Sequence, residues 1–339
     1  MKVLRLWFFV ALLIVMPIIK LQAQAVGGNT VFNFLTTPYS AKATALGGVN
    51  ISTLNSDLGL AMYNPALYDQ TMDEQVHVSV KPFFAGIQQY DVNAVQFNKQ
   101  RQWYQGIGVH YMNYGNIDMF DAAGNALGNM HPNEYAIQYS NAFVYKENFT
   151  LGSNVKFIQS NYGIYSSNAL ALDVGLNFLA SSGQTQMSLL VNNIGSQLKT
   201  YGTRENLPFN ITAGWSHKLE TAPFLFSVTA QKLSIWELQY NDAVFNNAEG
   251  ITSTSSSKNL FNHLVVSTEL ILSPSMHFLF GYNFLRRNDL NVNNQQNFLN
   301  GFSSGFEVAS NRFTAQYGNA FYQRNLYHHI GIIYSLKKH

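Results

Sequence analysis

The chain has 339 residues, of which 11% are charged and 14% aromatic, with a formal net charge of +2 and no cysteine. Charged residues make up about 25% of a typical soluble domain, so this composition argues against a fully water-exposed surface. The charge balance gives no indication of nucleic-acid binding, and the lack of cysteine excludes a disulfide framework and thiolate chemistry.

The chain begins with a pattern typical of a secretory signal. Lys2 and Arg5 precede the apolar run Leu6–Ile19, and the small residue Ala23 follows. This predicts a signal peptide over residues 1–23, cleaved after Ala23, with an uncleaved membrane anchor as the alternative. No apolar run of helix-spanning length follows, and the mean hydropathy is −0.06, so a helical membrane protein is excluded.

The next stretch is rich in small residues and ends in a turn signal. Residues 39–49 lead to a glycine pair, and residues 57–67 contain an Asn-Pro dipeptide, which disfavours helix and strand. Small side chains let backbones approach closely, so the stretch from Tyr39 to Leu67 is predicted to fit a crowded space without a core of its own. The motif residues are Ala45, Leu46, Gly47, Gly48, Asn64, Pro65, Ala66 and Leu67.

This stretch resembles the N-terminal segment of the outer-membrane barrels related to the long-chain fatty-acid transporters. Those proteins begin with a similar Ser-Ala-x-Ala-x-Ala-Leu-Gly-Gly run and an Asn-Pro-Ala-Leu turn. Within this group, the chain is more similar to the PorV/PorQ branch, which belongs to the type IX secretion system. The resemblance is specific mainly between Val31 and Leu67. It implies that residues 24–73 lie in the lumen of a barrel formed by residues 74–339.

From Glu74 onward, apolar and polar residues alternate, as in strands that are buried on one side. An apolar outer face and a polar inner face fit an antiparallel transmembrane β-barrel of about 14 strands better than a soluble sandwich, which would need more surface charge. The predicted strands are 75–88, 90–98, 102–115, 133–145, 149–163, 167–180, 184–193, 208–218, 223–238, 260–272, 276–286, 300–310, 311–321 and 326–336.

The predicted connections alternate between short and long, as in outer-membrane barrels, which have short periplasmic turns and longer outer loops. The long polar connections 116–132, 194–207, 239–259 and 287–299 all fall on the outer side. The outer loops are the predicted contact surface for a partner protein. The candidate contact residues are Asn246, Glu249, Arg286 and Arg287.

Polar residues within the strands are expected to face the lumen. A charge on the lipid face at mid-depth costs about 2–4 kcal/mol for Lys or Arg and less for acids, so Asp173 and Glu269 are placed inside, where they can bond with the lumen segment. Four strand histidines are also expected to face inward: His77, His110, His217 and His277.

Catalytic patterns are weak. Gly301-Phe302-Ser303-Ser304-Gly305 matches the hydrolase elbow, but a strand-like run follows it where an elbow requires a helix. His328 and His329 are neighbours on a predicted strand and therefore point to opposite faces, which disfavours a shared metal. The sequence predicts no enzyme activity, no metal and no cofactor.

The resemblance implies a docking role at the bacterial outer membrane. The expected partner is a PorZ-like surface protein, alongside PorU and PorV, in a complex that removes the sorting signal of cargo proteins and joins them to anionic lipopolysaccharide. The lipid bilayer and lipopolysaccharide are the other expected contacts. The alternative is a transporter of hydrophobic small molecules, which the fatty-acid-transporter resemblance also permits.

Overall fold

The computed structural model describes residues 30–236, 238, 256–290, 297–323 and 325–337. The predicted signal peptide, residues 1–23, lies outside the described residues. Asn246 and Glu249 lie outside them as well.

Sixteen strands occur among the described residues, and fourteen of them close into one antiparallel barrel. The remaining two, β4 and β5, form a separate hairpin. The barrel order is β1-β16-β15-β14-β13-β12-β11-β10-β9-β8-β7-β6-β3-β2. The predicted fold class is therefore confirmed. The strands are β1 Gln75–Pro82, β2 Gln88–Asn98, β3 Trp103–Asn113, β4 Ile117–Phe120, β5 Ala126–Met130, β6 Asn133–Tyr145, β7 Phe149–Tyr162, β8 Tyr165–Leu179, β9 Thr185–Lys199, β10 Asn210–Lys218, β11 Phe224–Ala230, β12 Leu264–Ser273, β13 Met276–Asn283, β14 Phe302–Ala309, β15 Phe313–Tyr322 and β16 Asn325–Ser335.

The barrel wall follows from the two-residue period of a strand, which sends neighbouring side chains to opposite faces. In β1, Val78 is 50% exposed on the outside, whereas His77 and Ser79 are buried on the inside. The same alternation places Ile137 outside and Gln138 inside in β6. An apolar exterior around a polar interior is the arrangement that a lipid environment requires of a closed barrel.

The connections follow the predicted alternation. At one end of the barrel all the turns between strands have five residues or fewer, and we call this the periplasmic end. At the opposite, outer end lie the long connections, of which 114–132 carries the β4–β5 hairpin. Several boundaries differ from prediction. β9 continues to Lys199 through a register shift opposite Leu172 and Val174. β1 ends at Pro82 and β11 at Ala230, which is earlier than predicted, and β12 begins later, at Leu264.

Four short α-helices are described: α1 Ala41–Ala45, α2 Leu58–Tyr63, α3 Ser256–Asn262 and α4 Phe284–Leu290. Single-turn 3-10 helices cover Asn33–Thr36, Pro65–Leu67, Gln70–Met72 and Phe84–Gly86. No described helix is long and apolar enough to cross a membrane.

Residues 30–73, which we call the lumen segment, supply much of the buried core. One apolar cluster joins residues 31–35 to the outer half of the wall, through side chains such as Met112 and Ile158. A second cluster joins α2 to the periplasmic half, through side chains such as Tyr104. The barrel is therefore packed around this segment at both ends.

Candidate functional site

The lumen segment runs the length of the barrel interior. At the outer end, the Val31 N–H donates to the carbonyl of Asn206, at 3.0 Å. At the periplasmic end, the Glu74 N–H donates to the carbonyl of Val95, at 3.1 Å. Any function of the barrel interior therefore depends on how strongly the wall binds the lumen segment.

The glycine pair of the motif ends helix α1 against the wall. Ser40 caps the helix by accepting a hydrogen bond from the Ala43 N–H, at 3.1 Å. Gly47 and Gly48 have φ angles of 96° and 99°, which side chains disfavour. A Cβ on Gly47 would lie 2.4 Å from a methyl carbon of Val265, so both the backbone conformation and the space require glycine.

Glycines of the wall lie directly against the backbone of the segment. A Cβ on Gly281 would lie 2.2 Å from the Gly47 nitrogen, and one on Gly318 would lie 2.1 Å from the Ala41 oxygen. The Ser303 hydroxyl of β14 also donates to the Ala45 carbonyl, at 2.9 Å. Segment and wall therefore touch backbone to backbone. Ser303 lies within a strand and serves this contact, so it has no elbow geometry.

A buried ion cluster ties α1 to the wall. Lys42 Nζ lies 3.4 Å from Glu269 Oε2 and 3.6 Å from Glu307 Oε2. Glu269 also accepts hydrogen bonds from Thr53 at 2.9 Å and from Asn55 at 2.7 Å. The prediction that Glu269 faces the lumen and bonds with the segment is confirmed.

Asp173 faces the lumen as predicted, but its main partners are in the wall. Lys156 Nζ lies 2.7 Å from its carboxylate, and the Asn193 N–H donates to it at 2.9 Å. Asn154 donates to Asp173 at 3.1 Å and to the Met62 carbonyl of the segment at 3.4 Å. Among the residues that the structure describes, Asp173 therefore connects to the segment through Asn154.

The Asn-Pro turn is the second fixed point of the segment. The Asn64 side chain donates to the Ile51 carbonyl at 2.9 Å and accepts from the Ala66 N–H at 3.1 Å. A Cβ on Gly152 would lie 2.4 Å from the Ala66 nitrogen, and one on Gly175 would lie 2.4 Å from the Asn64 side-chain oxygen. Pro65 and Leu67, in the single helical turn that follows, are buried.

Three of the four strand histidines face inward as predicted. His110 stacks between the rings of Phe34 and Tyr39, with centroid distances of 5.2 and 4.3 Å. His77 and His277 are also buried. The prediction for His217 is wrong. His217 lies on the outer face of β10, where its ring stacks on Trp215 with a centroid distance of 5.9 Å. Ser216, between these two residues, is the one that faces the lumen.

Among the described residues, no group of three or more His, Cys, Asp or Glu side chains could hold a metal ion. His329 is buried, and its ring bonds with Thr44 at 2.9 Å and Ser79 at 3.0 Å. His328 lies on the outside, where its ring bonds with Tyr317 at 2.6 Å. The two neighbouring histidines therefore point to opposite faces, as predicted.

Two spaces border the segment. A cavity between α1 and α2, lined by Tyr39, Ala43, Leu60 and Tyr63 among others, has a volume of about 10 Å³. That is roughly the space that one water molecule needs. At the periplasmic mouth, an open vestibule of about 480 Å³ is lined mainly by residues of the segment and by the ends of β6 to β9.

The two candidate partner residues that the structure describes differ in their exposure. Arg286 lies inside the outer mouth on α4, where one Nη donates to the Gly301 carbonyl at 2.9 Å, and is only 9% exposed. Arg287 is partly exposed. The β4–β5 hairpin, which the sequence analysis read as loop, instead presents Phe120 and Leu127 with 61% and 62% exposure. The turn residues 121–125 between two short apolar runs were the available signal.

A seam latch closes the periplasmic end. Lys337 Nζ lies 2.7 Å from carboxylate oxygens of both Asp73 and Glu74. Partial burial opposes the ionised carboxyl of Asp73, but hydrogen bonds from Lys337 and from the Phe97 N–H hold the pKa of Asp73 below its ordinary value. The latch joins the residues just before β1 to those just after β16.

No protein-family model matches the chain, and no curated protein matches it. Solved structures do match. One is the CymD monoaromatic hydrocarbon channel, at 12% identity and a TM-score of 0.54 over 91% of this chain and 100% of that one. This chain therefore has the same β-barrel fold as that channel.

Two further structures, both mutants of the TodX monoaromatic hydrocarbon channel, support the same fold. The deltaS2 mutant matches at 10% identity and a TM-score of 0.54, over 88% of this chain and 98% of that one. The deltaS2S3 mutant matches at 11% identity and a TM-score of 0.51, over 87% and 97% of the two chains. At these identities the likeness of the barrel extends to architecture alone.

Proposed function

We propose that this barrel is a PorQ-type component of the type IX secretion system, which anchors a PorZ-like surface protein at the outer membrane. The motif of residues 39–67 and the stretch 27–35 resemble that branch, and the chain length favours PorQ over PorV. The observation that carries the proposal is the fixed lumen segment. A barrel that is filled and locked serves as a scaffold, and its outer loops are the surface left for function.

The packing of the lumen supports anchoring over transport. Pockets for small ligands usually enclose about 300–1,000 Å³. The vestibule of about 480 Å³ reaches that size but lies at the periplasmic mouth, whereas the cavity beside α1 and α2, deeper in the lumen, has about 10 Å³. A hydrophobic ligand could pass only if the segment moved. That movement would break the Lys42 ion cluster and the close contacts of the segment with Gly152, Gly175, Gly281 and Gly318 of the wall.

Transport of a hydrophobic small molecule is the second candidate, because the barrel shares its fold with channels for monoaromatic hydrocarbons. The two functions differ in whether the segment must move. A tether between segment and wall therefore separates them.

Ser52 of the segment and Ser216 of β10 provide the tether. Their hydroxyl oxygens are 2.8 Å apart, and both side chains are buried. The native chain has no cysteine, so Ser52→Cys/Ser216→Cys can form only this one intramolecular disulfide. Anchoring predicts unchanged retention of the partner by the oxidised variant. Transport predicts that oxidation abolishes hydrocarbon uptake and that reduction restores it, with Ser52→Cys alone as the control.

Pull-down from detergent-solubilised outer membrane tests the anchoring proposal directly. The expected result is recovery of a large exported surface protein. Deleting residues 245–257 should weaken that retention while the barrel still folds, and deleting residues 117–130 serves as a control of similar length on another outer loop. Recovery of no surface protein, together with fatty acid retained by the purified barrel, would favour transport.

A further inference from the structure

Lys81 is a buried lysine on the inner face of the barrel wall. It lies near the outer end of β1, faces the lumen and is only 1% exposed. Its Nζ lies 4.9 Å from the centroid of the Phe83 ring. Among the described residues it forms no ion pair, because its acidic neighbour Asp91 is engaged by His110 at 2.5 Å and by Gln89 at 2.7 Å.

Arg286 is a second cation in the same mouth. One Nη bonds to the Gly301 carbonyl, but its buried Nε has no hydrogen-bond partner in the part of the chain that the structure describes. Its guanidinium lies 5.3 Å from the centroid of the Tyr322 ring. Asp289, one turn later on α4, has Lys232 as its electrostatic partner.

The two cations belong to one cluster. Aromatic rings connect them, since Phe83 lies 5.6 Å from Tyr327, and Tyr327 lies 5.0 Å from Tyr322. Lys81 and Arg286 interact electrostatically with each other, and both interact with Tyr322. Two like charges buried together are unfavourable unless an anion compensates them.

We propose that Lys81 and Arg286 form a binding site for one oxyanion of the phosphate class, either free or carried by a lipid headgroup. A guanidinium with an unused N–H matches the oxygens of a phosphate, and a lysine ammonium adds a second charge. Both side chains lie beside aromatic rings at the outer end of the barrel.

The test uses the full-length barrel purified in detergent and titrated with inorganic phosphate by calorimetry, at constant ionic strength in chloride. We expect saturable binding of one phosphate per barrel. Lys81→Met and Arg286→Gln should each weaken it roughly 30-fold, because truncating one member of a buried charge contact leaves the other uncompensated. Lys81→Arg should retain binding. Arg287→Gln, which removes one charge from the same helix, should leave binding unchanged.

A second measurement identifies the source of the anion. Phosphorus analysis and mass spectrometry of the organic extract of wild-type protein, prepared without phosphate, would assign a lipid headgroup if stoichiometric phosphorus appears and is lost in Lys81→Met. Phosphate binding with a phosphorus-free extract would assign a free anion. The proposal is overturned if neither phosphorus nor saturable binding is found, or if Arg287→Gln weakens binding as much as Lys81→Met does.

Discussion

Replacing Lys42 with methionine tests whether the buried ion cluster holds the lumen segment in place. The substitution keeps most of the side-chain volume but leaves Glu269 and Glu307 without their cation. Removing one member of a buried ion pair destabilises by about 3–5 kcal/mol, because the remaining charge is uncompensated. Lys42 belongs to the segment and both acids belong to the wall, so this loss falls on the contact between them.

The assay is ion conductance of the barrel in planar bilayers, combined with amide hydrogen exchange over residues 41–48. A loss of about 3 kcal/mol increases the population of the released segment by roughly 150-fold. Lys42→Met should therefore show frequent openings and faster exchange.

Lys156→Met is the matched control. It breaks an equally buried pair, with Asp173 at 2.7 Å, but one in which both members belong to the wall. It should lower the urea midpoint of unfolding without opening the lumen. If Lys42→Met stays closed with wild-type exchange, or if both variants conduct equally, the ion cluster is not what retains the segment.

Two further predictions concern other contacts of the segment and the seam. Gly281→Val should destabilise the barrel by about 1–3 kcal/mol in urea unfolding, because its Cβ would lie 2.2 Å from the Gly47 nitrogen, whereas Gly202→Ala, which meets no atom within 4 Å, should not; equal midpoints would contradict the close approach. The depressed pKa of Asp73 means that its contribution is present above the ordinary carboxyl pKa and is lost as the pH falls through the depressed value. Lys337→Met should therefore be less stable than wild type near neutral pH, with a difference that shrinks below about pH 4, and a difference independent of pH would exclude the latch.

The strands were predictable because a lipid-facing barrel repeats every two residues, and that rule is local. The cost of a charge facing lipid placed Glu269 and Asp173 in the lumen. The inward prediction for His217 rested on the polarity of the imidazole, and it failed because the two-residue alternation puts His217 on the outer face with Trp215. The extension of β9 was hidden by a register shift, which breaks the period.

The contacts of the lumen segment could not be predicted from the sequence. Thr53 bonds to Glu269 across 216 residues of chain, and no local pattern links such positions. The motif did indicate a crowded backbone, since its run of small residues leads to Gly47 and Gly48. The burial of Arg286 was missed because a charged residue next to a polar loop is normally exposed, and here α4 turns it back into the mouth.

The closure of the cylinder determines the order in which this protein can be built. β1 follows the lumen segment directly, and it pairs with the last strand from Gln75–Ser335 to Val80–Ile330. Backbone contacts as close as those at Gly281 and Gly318 leave no passage for a chain to enter afterwards. We therefore expect the wall to close around residues already inside, with the Lys337 latch forming only once β1 and β16 have paired.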